Sequence, residues 1–485
     1  MIDLTIEPTG FEHSVQRARE RDIVIPTFAQ MRDPNTIPAD VATRLADVGL
    51  WDLDPLNLFR ITWHNEPIEK GGGFGDVNII EFPSEFTGVD ARIISLVGKW
   101  FPTGAHKVGA AFGCLVPRLV TGQFDPTTQK SVWPSTGNYC RGGAYDAHLL
   151  ACESVAILPE GMSSERFAWL KSVAGEVIKT PGSESNVKEI FDKCNELRAS
   201  GEDLVIFNQF DEFGNYLWHY AITGPAMLEV FDSVVGPSQR LAGLAYNTGS
   251  AGTIASADFL KQHHPTVKVA GSEALQCPTM LWNGFGAHRI EGIGDKHVPW
   301  VHNLASMDML TGIDDASPMD LIRLFNEPAG VEYLSGQGFS EDLIARLPDM
   351  GISSVANLLS SIKMAKWYEM GSDDVILTIA TDSMDMYQSR LIELTEDLGP
   401  FTTTDAAVAY HRRLLGESTA DVQELGHWDR KRIHNLKYFT WVEQQGKDVA
   451  ELERQWHDPS YWTEIQALVD PIDKLIDAFN AEVAT

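Results

Sequence analysis

Short runs of aliphatic and β-branched residues alternate with longer stretches whose apolar positions recur at helical spacing through most of this chain. Strands are predicted at Ala91 to Val97, Ser131 to Trp133, Ser154 to Leu158, Leu204 to Phe207, Arg240 to Ala245, Val267 to Gly271 and Asp374 to Ala380. Helices are predicted from Val108 and from Gly143, with further amphipathic segments between the later strands. Strands separated by helices predict an α/β protein with a mainly parallel sheet. From about Leu391 the pattern changes to helix formers mixed with charged and aromatic residues, including His427, Trp428, Arg432, His434, Tyr438, Trp441 and Trp456. A helical C-terminal extension is expected there, with its aromatics used for packing. The first 50 residues read as an appendage in front of the core.

Composition narrows the partners. The 485 residues carry 68 acidic and 38 basic side chains, a formal charge of −30, with 44% hydrophobic and 22% charged residues. These proportions describe a globular chain with room for more than one domain. The negative charge argues against nucleic acid and anionic membrane as partners, since no basic stretch offsets it. No apolar run of about 18 residues is present, and the start of the chain lacks the basic and apolar regions of a leader, so a cytoplasmic location is expected. The five cysteines are scattered without a Cys-x-x-Cys pair, and no His-Glu-x-x-His occurs, so neither a disulfide framework nor a metal site is expected.

In open α/β sheets, ligands bind beyond the carboxyl ends of strands, where glycine-rich turns bring backbone N–H groups to an anion. Three turns have the right composition. Lys99 to Ala111 includes Thr103-Gly104-Ala105-His106-Lys107 and opens an Ala/Gly-rich helix. A lysine in the first helical turn is disfavoured as a cation by the helix dipole, which suits an amine used for chemistry, though an isolated lysine there is more often just solvated. Trp133 to Ala144 includes Ser135-Thr136-Gly137-Asn138-Tyr139, whose hydroxyls, amide and N–H groups suit a carboxylate. It reads equally well as an ordinary helix start. Ala245 to Ala255 includes Gly249-Ser250-Ala251-Gly252-Thr253, a phosphate cradle without the lysine of a P-loop and without Gly-x-Gly-x-x-Gly.

Together and in this order, the three turns resemble the pyridoxal-phosphate enzymes of the cysteine synthase and tryptophan synthase β-subunit superfamily, fold type II. The resemblance runs from about Arg92 to Tyr387. It includes Gln209-Phe210, Asn215, His219 and Thr223-Gly224-Pro225, the glycine turn His288 to Gly294, and Gly351-Ile352-Ser353-Ser354. Tyr139 stands where cysteine synthases usually have threonine, His106 resembles the tryptophan synthase form, and Ala251 replaces a phosphate-loop glycine.

The resemblance implies two open, mainly parallel α/β bodies. Residues 1–100 and 213–390 would form a large cofactor-binding domain, 101–212 a small mobile substrate domain, and 391–485 the helical extension. It implies pyridoxal 5′-phosphate as cofactor and Lys107 as the lysine that both carries it and moves the Cα proton. Asn138, Gly249, Ser250, Ala251, Gly252, Thr253 and Ser353 would bind the cofactor. Ser135, Thr136, Gly137, Tyr139, Gln209 and Gly292 would border a small amino-acid substrate, Tyr139 being readable as core filling too. The implied reaction is β-replacement on a serine- or cysteine-type amino acid through an aminoacrylate, with β-elimination to a 2-oxo acid as the alternative. A non-catalytic amino-acid-binding homologue is the reading from another class. A homodimer is implied as well. Outside these roles, Cys140 reads as packing, Glu273 as a solvated loop acid, and His219 as a structural hydrogen-bonding residue.

Overall fold

Two sheets organise the chain, which a computed structural model describes at residues 2–183, 186–294 and 296–485. The larger sheet takes β1 (Ile79–Phe82), β2 (Arg92–Val97), β7 (Arg240–Asn247), β8 (Lys268–Ala274), β9 (Met309–Ile313), β10 (Asp374–Ala380) and β11 (Val422–Glu424) in the order β1-β2-β10-β7-β8-β9-β11. Its inner pairs are parallel, and only the two edge strands run antiparallel to their neighbours. The smaller sheet is fully parallel in the order β5-β4-β3-β6, from β3 (Lys130–Pro134), β4 (Glu153–Pro159), β5 (Glu176–Thr180) and β6 (Leu204–Ile206). Strands such as β10, Asp-Val-Ile-Leu-Thr-Ile-Ala, are buried at every residue because helices cover both faces.

Every strand expected from the sequence is present, and four more are added: β1, β5, β9 and β11. Three of these are edge strands that borrow their order from a neighbour, and β5, Glu-Val-Ile-Lys-Thr, has only two apolar residues on a half-exposed edge. Glycine weakens the strand signal of β9. The helix expected from Gly143 begins five residues earlier, at Asn138.

The Lys107–Thr121 helix is buried everywhere except at Lys107 and Arg118. Its small residues allow this, because Gly109 lies under the Trp218 ring and Gly113 meets Gly214 backbone to backbone. A Cβ on Gly214 would stand 2.1 Å from the Gly113 carbonyl oxygen. Gly214→Ala is therefore expected to cost about 1–3 kcal/mol, the usual cost of overpacking. A urea midpoint equal to wild type would show that the helices separate freely.

Asp146, in the Asn138–Leu149 helix, is fully buried, and neither carboxylate oxygen has a partner among the described residues. Burial alone pushes its carboxyl well above its ordinary value of 3.8. The folded protein therefore favours the protonated form. Its contribution is fully present below the unfolded value and is lost as pH rises towards the raised folded one. Relative to Asp146→Asn, the wild type should lose stability on going from pH 4 to neutrality. A pH-independent difference in denaturation midpoint would contradict this.

The terminal segments clasp the core. Asp473, in the Val469–Val483 helix, accepts hydrogen bonds from the backbone N–H groups of Phe28 and Ala29 at 2.6 and 3.1 Å. Arg19 in the Pro8–Glu20 helix donates to the carbonyls of Glu482 and Val483. Trp441 donates to the Val298 carbonyl, and buried Lys437 to the carbonyls of Trp300 and His302. The extension is mostly helical, but it also supplies β11, so one strand falls in a stretch read as helix alone. Among the described residues, no helix is long and apolar enough to cross a membrane. No group of three or more His, Cys, Asp or Glu among them could hold a metal ion.

Candidate active site

The expected turns converge at the carboxyl ends of the large-sheet strands. Gly249 to Thr253 follow β7 and lead into the Ala255–His263 helix. Across this turn the backbone N–H groups donate to no protein acceptor among the described residues, which leaves an anion cradle at a helix start. Ala251 keeps the left-handed backbone, at φ 60°, that glycine adopts without strain. Lys107 Nζ donates to Ser250 Oγ at 3.0 Å, and Asn215 Nδ2 donates to the same oxygen at 3.1 Å. Gly252 cannot carry a side chain, since its Cβ would lie 1.9 Å from Asn215 Oδ1.

Lys107, Gly249, Ser250, Ala251, Thr253, Gly292 and Ser353 line one cavity, together with Asn247, Asn357 and Thr381. Gly292 takes φ +95°, and its Cβ position would come within 3.4 Å of Ser353 Oγ, so glycine keeps this wall low. Among the described residues, the Ser353 hydroxyl is buried without a partner, as are Oδ1 of Asn138 and of Asn215. A neutral phosphate cradle, an amine beside it and a buried, unpartnered hydroxyl in its wall fit pyridoxal phosphate in chemistry.

The Ser135 to Asn138 turn sits alongside, held by charged residues absent from the expected set. Ser135 Oγ accepts from Gly137 N at 3.1 Å and from Gln209 Nε2 at 3.3 Å. Arg166 is buried completely and donates to the Thr136 carbonyl, to Glu291 at 2.7 Å and to the Tyr387 hydroxyl at 2.7 Å. A Cβ on Gly137 would meet the Arg166 guanidinium at 2.6 Å. Asn138 Nδ2 and Tyr387 Oη both donate to Asp382 Oδ2 at 2.6 Å. Burial raises the Asp382 carboxyl, opposed by Arg166 and by these two donors.

Of the two readings open to Tyr139, the structure gives core filling. Because the helix starts at Asn138, its ring turns into the core against Trp133, at 5.5 Å between centroids, and is buried. Glu273 is not a solvated loop acid: it is 2% exposed and accepts from the N–H groups of Met280 and Leu281. Burial pushes its carboxyl up to about 7 against those bonds. Cys140 is buried and donates to the Gly137 carbonyl, with its thiol raised to about 12 by burial. His219 bonds Thr223 at 2.9 Å and stacks edge-on to His106. Burial, with Lys107 nearby, holds both imidazoles well below the usual histidine range, so they are neutral.

Arg166, Asp382 and Tyr387 are the residues that sequence reasoning missed. Their signal was positional, because Thr381 and Asp382 directly follow β10, and Arg166 lies in the first helix after β4.

The comparisons agree with this geometry. Residues 100–331 match the family model described as "Pyridoxal-phosphate dependent enzyme". A cysteine synthase of Staphylococcus aureus is 26% identical over 299 residues, covering 61% of this chain and 87% of that enzyme. A hydrogen sulfide-producing enzyme of Fusobacterium nucleatum superposes with a TM-score of 0.55 at 21% identity, covering 64% of this chain and 96% of that one. The O-acetylserine-dependent cystathionine β-synthase of Helicobacter pylori gives 0.53 at 22%, covering 64% and 94%. With the two sheets and the three turns, these matches make this a pyridoxal-phosphate-dependent enzyme with the fold type II architecture, similar to the cysteine synthases.

Proposed function

We propose that this enzyme catalyses β-replacement at Cβ of a serine- or cysteine-type amino acid. The observation that carries the reading is Lys107 Nζ, 3.0 Å from Ser250 in the phosphate turn and in one cavity with Ser353 and Gly292. Bound pyridoxal phosphate supplies an electron sink for charge developing at Cα. Lys107 would anchor it and would take the Cα proton of the substrate. The N–H groups and hydroxyls of Gly249 to Thr253 hold the phosphate, and Asn138 holds the ring edge. Ser353 would hold the ring nitrogen through a hydroxyl, which would not keep it protonated as a carboxylate would and so would favour loss of a group from Cβ. Ser135, Thr136 and Gly137 orient the substrate carboxylate, with Gln209 and Gly292 beside the departing group. The body carrying the smaller sheet, residues 101–212, closes over the substrate and excludes water. The active form is a cytoplasmic homodimer.

Similarity to a hydrogen sulfide-producing enzyme favours β-elimination as the second reading. One experiment separates the two. Holoenzyme is incubated with O-acetylserine, serine or cysteine, with and without sulfide, and the products are identified by mass. A new amino acid formed only with a nucleophile supports replacement. A 2-oxo acid and ammonia formed equally without one would overturn it in favour of elimination.

A further inference from the structure

The Lys107–Thr121 helix carries Arg118 about three turns beyond Lys107, and there it borders a second cavity, of about 190 Å³. A single water needs only about 10–15 Å³ of such volume, so this cavity has room for a small molecule. Asp211 and Glu212, which lead into the Phe213–Trp218 helix, form its second wall. A third wall comes from outside residues 100–331, the stretch that matches the family: Ile2 and Asp3 near the start of the chain, and Lys447 and Glu451 in the C-terminal extension. The cavity therefore depends on this chain's own additions.

Polar groups of both signs face it. Arg118 Nη2 donates to Glu212 Oε1 at 2.6 Å, and Lys447 Nζ pairs with Asp211 Oδ2 at 2.7 Å. Both pairs are partly exposed, and both leave capacity over. Among the described residues, Arg118 Nε and Nη1 have no acceptor, Glu212 Oε2 and Asp211 Oδ1 have no donor, and all four atoms are accessible. The other acids are each engaged already: Glu451 accepts from the Tyr461 hydroxyl at 2.7 Å, and Asp3 from the Thr5 N–H at 2.9 Å. Gln123 holds the Asp3 and Thr5 carbonyls. Four carboxylates against two cations repel a bare anion, and a bare cation would leave the spare guanidinium donors unused. A ligand with an ammonium and a carboxylate on one carbon answers both. Pro117, Phe213 and Trp300, with Ile2, supply apolar surface for its side chain.

We propose that this cavity binds a free α-amino acid with a short apolar side chain, as a regulatory site separate from the substrate site. Arg118 and Lys447 receive the carboxylate, and Glu212 and Asp211 the ammonium. Coupling to the cofactor cavity runs through the turn that carries these acids. Asn215 N donates to the Glu212 carbonyl at 3.1 Å, while its Nδ2 donates to the Gln209 carbonyl at 2.9 Å and to Ser250 at 3.1 Å. Ser250 in turn receives Lys107. The inference holds for replacement and elimination alike, and its readout rests on Lys107 carrying the cofactor.

The test uses holoenzyme reduced with borohydride, so that the pyridoxyl group is fixed to Lys107 and an added amine cannot displace it. Peptide mass mapping comes first, which tells a failed Lys107 assignment apart from a failed site. Calorimetry should show L-leucine binding at one per chain. Its affinity should exceed at least tenfold that of 4-methylpentanoate, which lacks the ammonium, and of isopentylamine, which lacks the carboxylate. Arg118→Gln and Lys447→Gln should each weaken leucine at least tenfold, and the second keeps the test open if the first fails to fold. Saturating leucine should change the fluorescence of the fixed pyridoxyl group. No binding of leucine, equal binding of either singly charged analogue, or an affinity unmoved by both variants would overturn the site. Binding with unchanged fluorescence would overturn its regulatory role.

Discussion

Lys107→Ala is expected to lose about 10³-fold or more in kcat while still binding pyridoxal phosphate. General acid–base catalysis alone is worth about 10²–10⁴-fold, and this lysine also anchors the cofactor. Retention is expected because the phosphate turn owes its shape to other residues: Gly294 N bonds the Thr248 carbonyl at 2.8 Å, and Asn215 holds Ser250. Borohydride should fix the pyridoxyl group on Lys107 in wild type and leave no labelled peptide in the variant. Label on a different lysine, or turnover within tenfold of wild type, would remove Lys107 from this role.

Arg166→Leu should destabilise the fold by about 3–5 kcal/mol, the usual cost of breaking a buried ion pair from one side. The Arg166 side chain is 0% exposed, and it faces Glu291 at 4% and Asp382 at 0%. Without it, Asp382 loses its nearest cation, and Glu291 keeps only Arg390. The Thr136 carbonyl loses its guanidinium donor at the same time, so the KM of the amino acid should rise. The Arg166→Leu, Glu291→Leu double variant should be less destabilised than the sum of the two singles, since the groups act as a unit. Equal urea midpoints for wild type and Arg166→Leu would show that the network carries little stability.

The large parallel body was legible because buried parallel strands such as β2, β7 and β10 are continuous apolar runs. Short edge strands carry too few residues to announce themselves, and β11 consists of Val-Gln-Glu. The candidate cofactor residues stood out because the glycine-rich turn and the lysine segment are each contiguous motifs with fixed chemistry. Arg166, Asp382 and Tyr387 did not, since they meet only through the fold, from positions as far apart as 166 and 387. Tyr139 left two readings open in the sequence, and the helix that starts at Asn138 turns its ring into the core against Trp133.

The antiparallel pairing of β11 with β9 has a consequence for biosynthesis. As the chain leaves the ribosome, β9 emerges long before Val422–Glu424, and the hydrogen-bonding edge of β9 stays bare in the interval. A nascent chain paused there presents a template for pairing with another strand. Truncations that end before Val422 should therefore aggregate rather than yield a trimmed enzyme.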